Sequence, residues 1–189
     1  MLLFLETVNV LCILLIIFML AVILRQQPSR AQTAFVLYSL FTTTFIVGIH
    51  LELIHSDTIG EALSGLCVQY VGQAGLLMSL LWFVSELIGF SVPAWVYRLE
   101  AICSTFVILG IFTAQSHRFF YTFVRILTDG MYNRIEVGRG ILWYPHFLHL
   151  YLVVFTILIL CAAKYKGSTA IQKKRIALTT GGLVPSRLC

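Results

Sequence analysis

Charged side chains are scarce in this sequence. They account for 11% of the 189 residues, whereas hydrophobic side chains account for 59%. Soluble domains carry about 25% charged residues, so this composition lies well outside the soluble range. The shortage of charge excludes an ordinary water-soluble domain and indicates an integral membrane protein. Its function must therefore come from groups in the interior of a helix bundle or in the loops.

Several patterns that signal chemistry are absent as well. The five cysteines include no Cys-x-x-Cys pair, so neither a disulfide framework nor a cysteine metal site is expected. The sequence has no Gly-x-Ser-x-Gly, no His-Glu-x-x-His and no phosphate-binding loop. Its basic residues lie between apolar segments and form no aromatic-interleaved patch. We therefore expect no intrinsic catalysis, no cofactor, no bound metal and no nucleic-acid partner.

Long apolar runs dominate what is present. A helix needs about 20 mostly apolar residues to cross roughly 30 Å of hydrocarbon. Five runs meet that requirement, at residues 8–24, 34–54, 66–88, 95–114 and 142–163. A further apolar segment, 176–189, is too short to cross. The sequence predicts an all-α, polytopic transmembrane bundle with five full spans and an incomplete sixth, as one membrane domain over residues 1–189.

Lysine and arginine in the connecting segments predict the orientation. Arg25 and Arg30 follow the first span, and five basic residues lie within 164–175, whereas the loop after the second span has none. The positive-inside rule places the two basic segments in the cytoplasm, so the N-terminus is expected outside the cell membrane. Residues 115–140, treated as one long loop, then lie outside in spite of their four arginines.

Polar residues at the outer ends of the spans form the candidate site. Seven of them approach the outer half of the bilayer in this topology: Glu52, Gln69, Tyr70, His117, Tyr121, Arg139 and His146. Unpaired polar groups are costly in hydrocarbon, so we expect these side chains to face one another and to line a shared pocket under loop 115–140. Such a pocket either receives a signal or is a structural hydrogen-bond network without a ligand.

Two of these clusters have simpler interpretations. Glu52 is expected to pair with Arg139 or His117, unless it only reaches the headgroup zone at its helix end. The stretch that contains Gln69 is expected either to contact a ligand or to pack against a helix, because Gly72 lets a neighbouring backbone approach.

The histidines are also open to more than one interpretation. His117 lies beside aromatic residues, where it suits a ligand contact, a pH-responsive group or an interfacial belt. His146 and His149 share one helix face, but a metal site there would need a further ligand from elsewhere.

Taken in order, these residues resemble a known family. Glu52 near the end of the second span is followed by Gln-Tyr-x-Gly at 69–72 in the third. Thr113 and the His-x-x-Phe-Tyr stretch at 117–121 close the fourth span, and Arg-Gly-x-x-Trp at 139–143 opens the fifth. The chain is similar to the N-terminal seven-transmembrane sensor region of bacterial membrane histidine kinases and of some diguanylate cyclases.

The resemblance implies seven spans, an extracytoplasmic N-terminus and a cytoplasmic output domain after the last span. Here the sixth span is incomplete, and neither a seventh span nor an output domain follows. We expect the signal-input module of a two-component or cyclic-dinucleotide signalling protein. Its expected partners are the lipid bilayer, an unknown small ligand or membrane signal, and a second copy in a homodimer formed through the parent protein. The alternative is a small stand-alone membrane transport or binding protein.

Overall fold

The computed structural model describes residues 2–54, 58–129, 132–169, 172–173 and 176–177. Within these residues the elements are, in order, α1 (Leu2–Ile23), α2 (Arg30–Ile54), α3 (Ile59–Ile88), α4 (Ala94–Phe112), β1 (Tyr121–Asp129), β2 (Tyr132–Arg139) and α5 (Trp143–Lys166). All five described helices are long and apolar enough to cross a membrane. The prediction of a helical membrane bundle is confirmed.

The third helix begins earlier than its hydropathy predicts, at Ile59 rather than at residue 66. A capping box explains the early start. The backbone nitrogen of Glu61 donates to Thr58 Oγ1 at 3.3 Å, and the backbone nitrogen of Thr58 donates to the Glu61 carboxylate at 3.1 Å. These bonds satisfy backbone donors that the first turn would otherwise leave open. The helix ends at Gly89, which adopts the left-handed conformation with φ of 66°.

Helices α2 and α3 pack with their backbones in direct contact. A side chain on Gly48 would overlap the backbone of Gln69, and one on Gly72 would overlap the backbone of Phe45. In a bilayer, helices associate through such close van der Waals packing, since lipid is as apolar as the side chains. The predicted packing role of Gly72 is confirmed.

Helix α1 has an exposed apolar surface suited to lipid. No residue in its membrane-length window is buried, and Phe18 keeps 68% of its surface exposed. The side-chain amide of Gln32 at the start of α2 donates to the carbonyl of Ile23 at 2.8 Å and ties the two helices together. The remaining apolar surface of α1 is exposed along the membrane-length window, as a lipid-facing helix requires.

Two apolar cores lie at opposite ends of the bundle. We call the end where α2 and α4 finish and α3 and α5 begin the hairpin end. The core at the hairpin end combines Leu63, Leu66, Tyr70, Ile111, Phe120 and Tyr121. The core at the other end combines Leu77, Leu81, Val84, Ile88, Val153, Ile157, Cys161 and Ile176. Most of the predicted partial span 176–189 lies outside the described residues.

The long connection between α4 and α5 contains a β-hairpin, so treating residues 115–140 as a simple loop was wrong. Strands β1 and β2 pair antiparallel, from Tyr121 opposite Arg139 to Asp129 opposite Tyr132. The two-stranded sheet adds a small β element to a bundle expected to be all-α. The sequence carried one signal for it, the Asp-Gly dipeptide at 129–130 between strand-like runs, which favours a tight hairpin turn.

Candidate functional site

A buried hydrogen bond joins the hairpin to the membrane bundle. The hydroxyl of Tyr121, at the start of β1, donates to the hydroxyl of Tyr70 on α3 at 3.0 Å. The two side chains are 4% and 6% exposed. Burial raises the pKa of the Tyr121 hydroxyl well above its ordinary value, and the neighbouring Tyr70 adds to the rise. Tyr121 therefore remains a neutral hydrogen-bond donor throughout the physiological pH range.

A bulge in the hairpin sets the direction in which Tyr121 points. The strand register shifts between Tyr121 and Phe123, so Thr122 is an extra residue in β1. If the strand were regular, Tyr121 would share a face with Phe123 two residues on, which is exposed. With it, Tyr121 shares the inward face with Val124, and both belong to the core at the hairpin end. The bulge thus brings the Tyr121 hydroxyl to α3.

His146 on α5 completes the cluster. Its side chain is 4% exposed, and its ring centre lies 5.0 Å from that of Tyr70. Its Nε2 lies 3.2 Å from the amide oxygen of Gln73 on α3. Phe120 covers the group. Its ring centre lies 5.3 Å from that of Tyr70, in an edge-to-face arrangement, and 6.1 Å from that of His146. We call Tyr70, Tyr121, His146 and Gln73 the tyrosine–histidine cluster.

Glu52 lies beside this cluster at the end of α2. The charge of Glu52 contributes to the raised pKa of the Tyr121 hydroxyl. Its backbone is in close contact with α3, where a side chain on Gly65 would come within 2.7 Å of the Glu52 backbone nitrogen. Close packing of the two helices therefore fixes the backbone of Glu52 against α3.

The two side chains expected to pair with Glu52 have other partners. The guanidinium of Arg139 lies over the Trp143 ring, 4.2 Å from its centre. His117 Nε2 lies 2.9 Å from the Thr113 hydroxyl, and its Nδ1 accepts from the backbone nitrogen of Phe119 at 3.3 Å. The expected pairing of Glu52 with Arg139 or His117 is not found among the described residues, because partners at most four residues away in sequence hold both side chains at the chain connections.

The expected shared pocket is divided. His117 and Tyr121 line a cavity of about 490 Å³ between the hairpin and the start of α3. His146 lines a different cavity, of about 260 Å³, between α4 and α5. The buried ring of Phe120 lies between the two, because it contacts both Tyr121 and His146. Tyr70, Tyr121 and His146 therefore meet by direct contact, whereas His117 and Arg139 lie outside that contact.

Gln69 lies where α3 packs against α2. Its backbone is the part of α3 that approaches Gly48. Its side-chain oxygen is buried and accepts no hydrogen bond within the described ranges. The backbone contact supports a packing role for Gln69, and the ligand contact of its side chain stays a prediction.

A second polar cluster was missed by the sequence analysis. Glu100 on α4 is 5% exposed, and its Oε2 lies 2.6 Å from His149 Nε2 on α5. The Ser104 hydroxyl donates to the other carboxylate oxygen at 3.4 Å. The signal in the sequence was a carboxylate within an apolar span. Burying such a group costs free energy unless a partner is present. His146 and His149 thus contact different partners, Gln73 and Glu100.

The comparisons with known proteins identify one family. A family model described as the N-terminal 7TM region of histidine kinase matches residues 8–187. No curated protein and no solved structure matches the chain. The family match covers nearly the whole chain, including both polar clusters and the hairpin.

Proposed function

Because the chain belongs to the family of N-terminal seven-transmembrane regions of histidine kinases, we propose that it is the signal-input part of a two-component protein and that the tyrosine–histidine cluster transmits the signal. As a member of this family, the chain is a multi-pass membrane sensory module in contact with the lipid bilayer. The output domain belongs to the parent protein. A histidine kinase is the output that the family description favours, and a cyclic-dinucleotide synthase is the alternative.

The hydrogen bond from Tyr121 to Tyr70 is the observation that carries the proposal. It connects an element outside the spans, β1, to a membrane helix, α3, at a point where His146 adds a contact to α5. Leaving a buried hydroxyl without its partner costs about 1–3 kcal/mol. A free-energy difference of that size changes the ratio of two helix packings by roughly 5- to 150-fold. Movement of the hairpin is therefore coupled to the arrangement of α3 and α5.

The proposal places the hairpin outside the cell and the N-terminus extracytoplasmic. Arg25, Arg30, Lys164 and Lys166 lie at the end of the bundle opposite the hairpin, which suits a cytoplasmic location. The four arginines of residues 115–140 count against this location, but the seven lysines and arginines of segments 25–30 and 164–175 outnumber them.

We also propose that the module works as a homodimer held together by the kinase part of the parent protein. Signalling would then consist of a change in the packing of α3 and α5 that continues through the end of α5 to the cytoplasm. Ile176 packs against the core that α3 and α5 share at that end, so the segment after α5 is placed to follow such a change.

The test is kinase activity in membranes that contain the chain joined to a histidine kinase domain. Tyr121→Phe removes one hydroxyl and keeps the ring. We expect basal autophosphorylation to change at least about fivefold at unchanged membrane level, from the cost of the unmet Tyr70 hydroxyl. Tyr151→Phe is the matched control, because Tyr151 is 55% exposed on α5 and outside the cluster. Equal activity in the two variants would contradict the role of the cluster.

A further inference from the structure

Two short segments run side by side where the hairpin joins the bundle. The backbone nitrogen of Leu142 donates to the carbonyl of Phe119 at 2.9 Å, and that of Gly140 donates to the carbonyl of Phe120 at 2.9 Å. The contact is close, because a side chain on Gly140 would overlap the Phe119 carbonyl. The two segments thus continue the pairing of β1 and β2 down to the start of α5. We call residues 118–120 and 139–142 the hairpin base.

The hairpin base has a buried apolar face and an exposed one. Phe120 is buried in the core at the hairpin end, and Leu142 packs against that core. Phe119 and Ile141, which alternate with them along the chain, keep 59% and 72% of their surface exposed. This exposed pair lies next to Trp143, where the membrane-length helix α5 begins, and therefore at the level of a membrane interface. Apolar side chains at that level suit the boundary between headgroups and acyl chains.

Two arginines flank the exposed pair. Arg118 directly precedes Phe119, Arg139 lies two residues before Ile141, and both arginines are exposed. The Arg139 guanidinium lies over the Trp143 ring, 4.2 Å from its centre. Stacking of this kind uses the face of the guanidinium and leaves the N–H groups at its edge for an acceptor. Within the described ranges the Arg139 side chain has no such acceptor.

The arrangement fits the polar end of an anionic phospholipid. A phosphate accepts the paired N–H groups of a guanidinium, and stacking on an interfacial ring keeps that cation at the membrane surface. The exposed apolar pair contacts the first carbons of the acyl chains of the same molecule. A zwitterionic headgroup also has a phosphate, but the second arginine repels its positive group, so a headgroup of net negative charge is preferred.

We propose that the hairpin base binds an anionic phospholipid of the adjacent leaflet, with Arg139 on the phosphate and the exposed apolar pair in the interfacial layer. Binding at this site is independent of the proposed function and goes beyond it. Its consequence for the bundle follows from Phe120, whose ring contacts Tyr121 and His146. A lipid on one face of the hairpin base therefore lies next to the tyrosine–histidine cluster on the other.

The first experiment measures the headgroup preference at the site. In a background without other cysteines, Tyr144→Cys carries a bimane fluorophore at an exposed position beside Trp143. Phosphatidylcholine nanodiscs receive either phosphatidylglycerol or phosphatidylcholine that carries a nitroxide on the acyl chain close to the headgroup. We expect the phosphatidylglycerol probe to reach half-maximal quenching at an about fivefold lower fraction, because a cation at the surface favours an anionic lipid by about that factor. Equal quenching by the two probes would overturn the proposal.

The second experiment assigns the preference to Arg139. Arg139→Gln removes one positive charge from the hairpin base. Arg125→Gln is the matched control, because it removes the same charge from the hairpin at a guanidinium that contacts Glu136 at 2.6 Å. We expect Arg139→Gln to lower the preference to below about twofold and Arg125→Gln to keep it at about fivefold. An unchanged preference in Arg139→Gln would overturn the assigned site.

The third experiment tests the apolar pair and needs no arginine variant. Bimane on Ile141→Cys should be quenched by nitroxide lipid and shielded from aqueous iodide. Bimane on Leu127→Cys, an exposed position farther along β1, should respond to iodide alone. Equal access of iodide to both positions would overturn the contact with the membrane.

The first and third experiments remain decisive if Arg139→Gln does not fold, because both arginines are intact in them. No kinase is present in any of the three. Failure of the headgroup preference therefore counts against the lipid site alone, whereas failure of Tyr121→Phe to alter a kinase counts against the proposed function alone.

Discussion

The Glu100 carboxylate on α4 and the His149 imidazole on α5 meet at 2.6 Å, in stretches where both helices are long and apolar enough to cross the membrane. The pair connects two helices that otherwise border two cavities of about 260 Å³ each. An ionisable pair in this position is expensive to bury, and removal of either partner would leave the other buried without it.

The first prediction concerns the energy of that contact. Glu100→Ala or His149→Ala each leaves one buried polar partner unmet, so we expect each to destabilise the chain by about 3–5 kcal/mol. The double variant should lose less unfolding free energy than the two single variants together, because it removes both halves of the pair. Unfolding of the micelle-bound chain by a denaturing detergent measures all three. Additive losses would show that the two side chains are not coupled.

The second prediction concerns the contact between α2 and α3. Gly72→Ala places a methyl group against the backbone of Phe45, so the helices have to separate. We expect a loss of about 1–3 kcal/mol from overpacking, beyond the gain in helix propensity. Gly167→Ala is the control, because nothing lies within 4 Å of that position. The same unfolding assay applies, and matched stability of the two variants would contradict backbone contact at Gly72.

The third prediction concerns orientation. In a background without other cysteines, Thr122→Cys should react with a membrane-impermeant maleimide on intact cells, and Ser29→Cys only after lysis. Both positions are exposed, at the hairpin and at the opposite end of the bundle respectively. Labelling of Ser29→Cys alone on intact cells would reverse the proposed topology.

The fourth prediction concerns catalysis. The purified chain should neither autophosphorylate with ATP nor form a cyclic dinucleotide from GTP, because phosphoryl transfer requires a site for the nucleotide and its metal. Incubation with labelled nucleotide, with an isolated histidine kinase domain as the positive control, checks this. Turnover by the chain alone would assign it an activity beyond signal input.

The spans and their polar ends were predictable because they depend on local composition. Hydropathy over about 20 residues identifies a membrane helix whatever its neighbours are. It located all five helices and missed the early start of α3, which depends on hydrogen bonds of Thr58 and Glu61 rather than on hydropathy. The packing role of Gly72 was predictable for the same reason, since a missing side chain is a local property.

The partners of the polar residues were not predictable in the same way. Arg139 and His117 were the side chains expected to pair with Glu52, yet Arg139 lies over the Trp143 ring and His117 contacts the Thr113 hydroxyl. Composition does not encode whether a residue remote in sequence, such as Glu52, comes near enough to compete with a partner four residues away.

The sequence by itself determined that this chain is a helical membrane protein, where its spans lie and which family pattern its polar residues follow. The tertiary structure decided which of those residues meet. A one-residue bulge at Thr122 turns Tyr121 toward Tyr70, and the approach of α4 to α5 brings Glu100 to His149. The reason is physical. The free energy of transferring a segment into lipid is a sum over the segment's own residues. A buried hydrogen bond, in contrast, requires two separate elements to bring their atoms within about 3 Å.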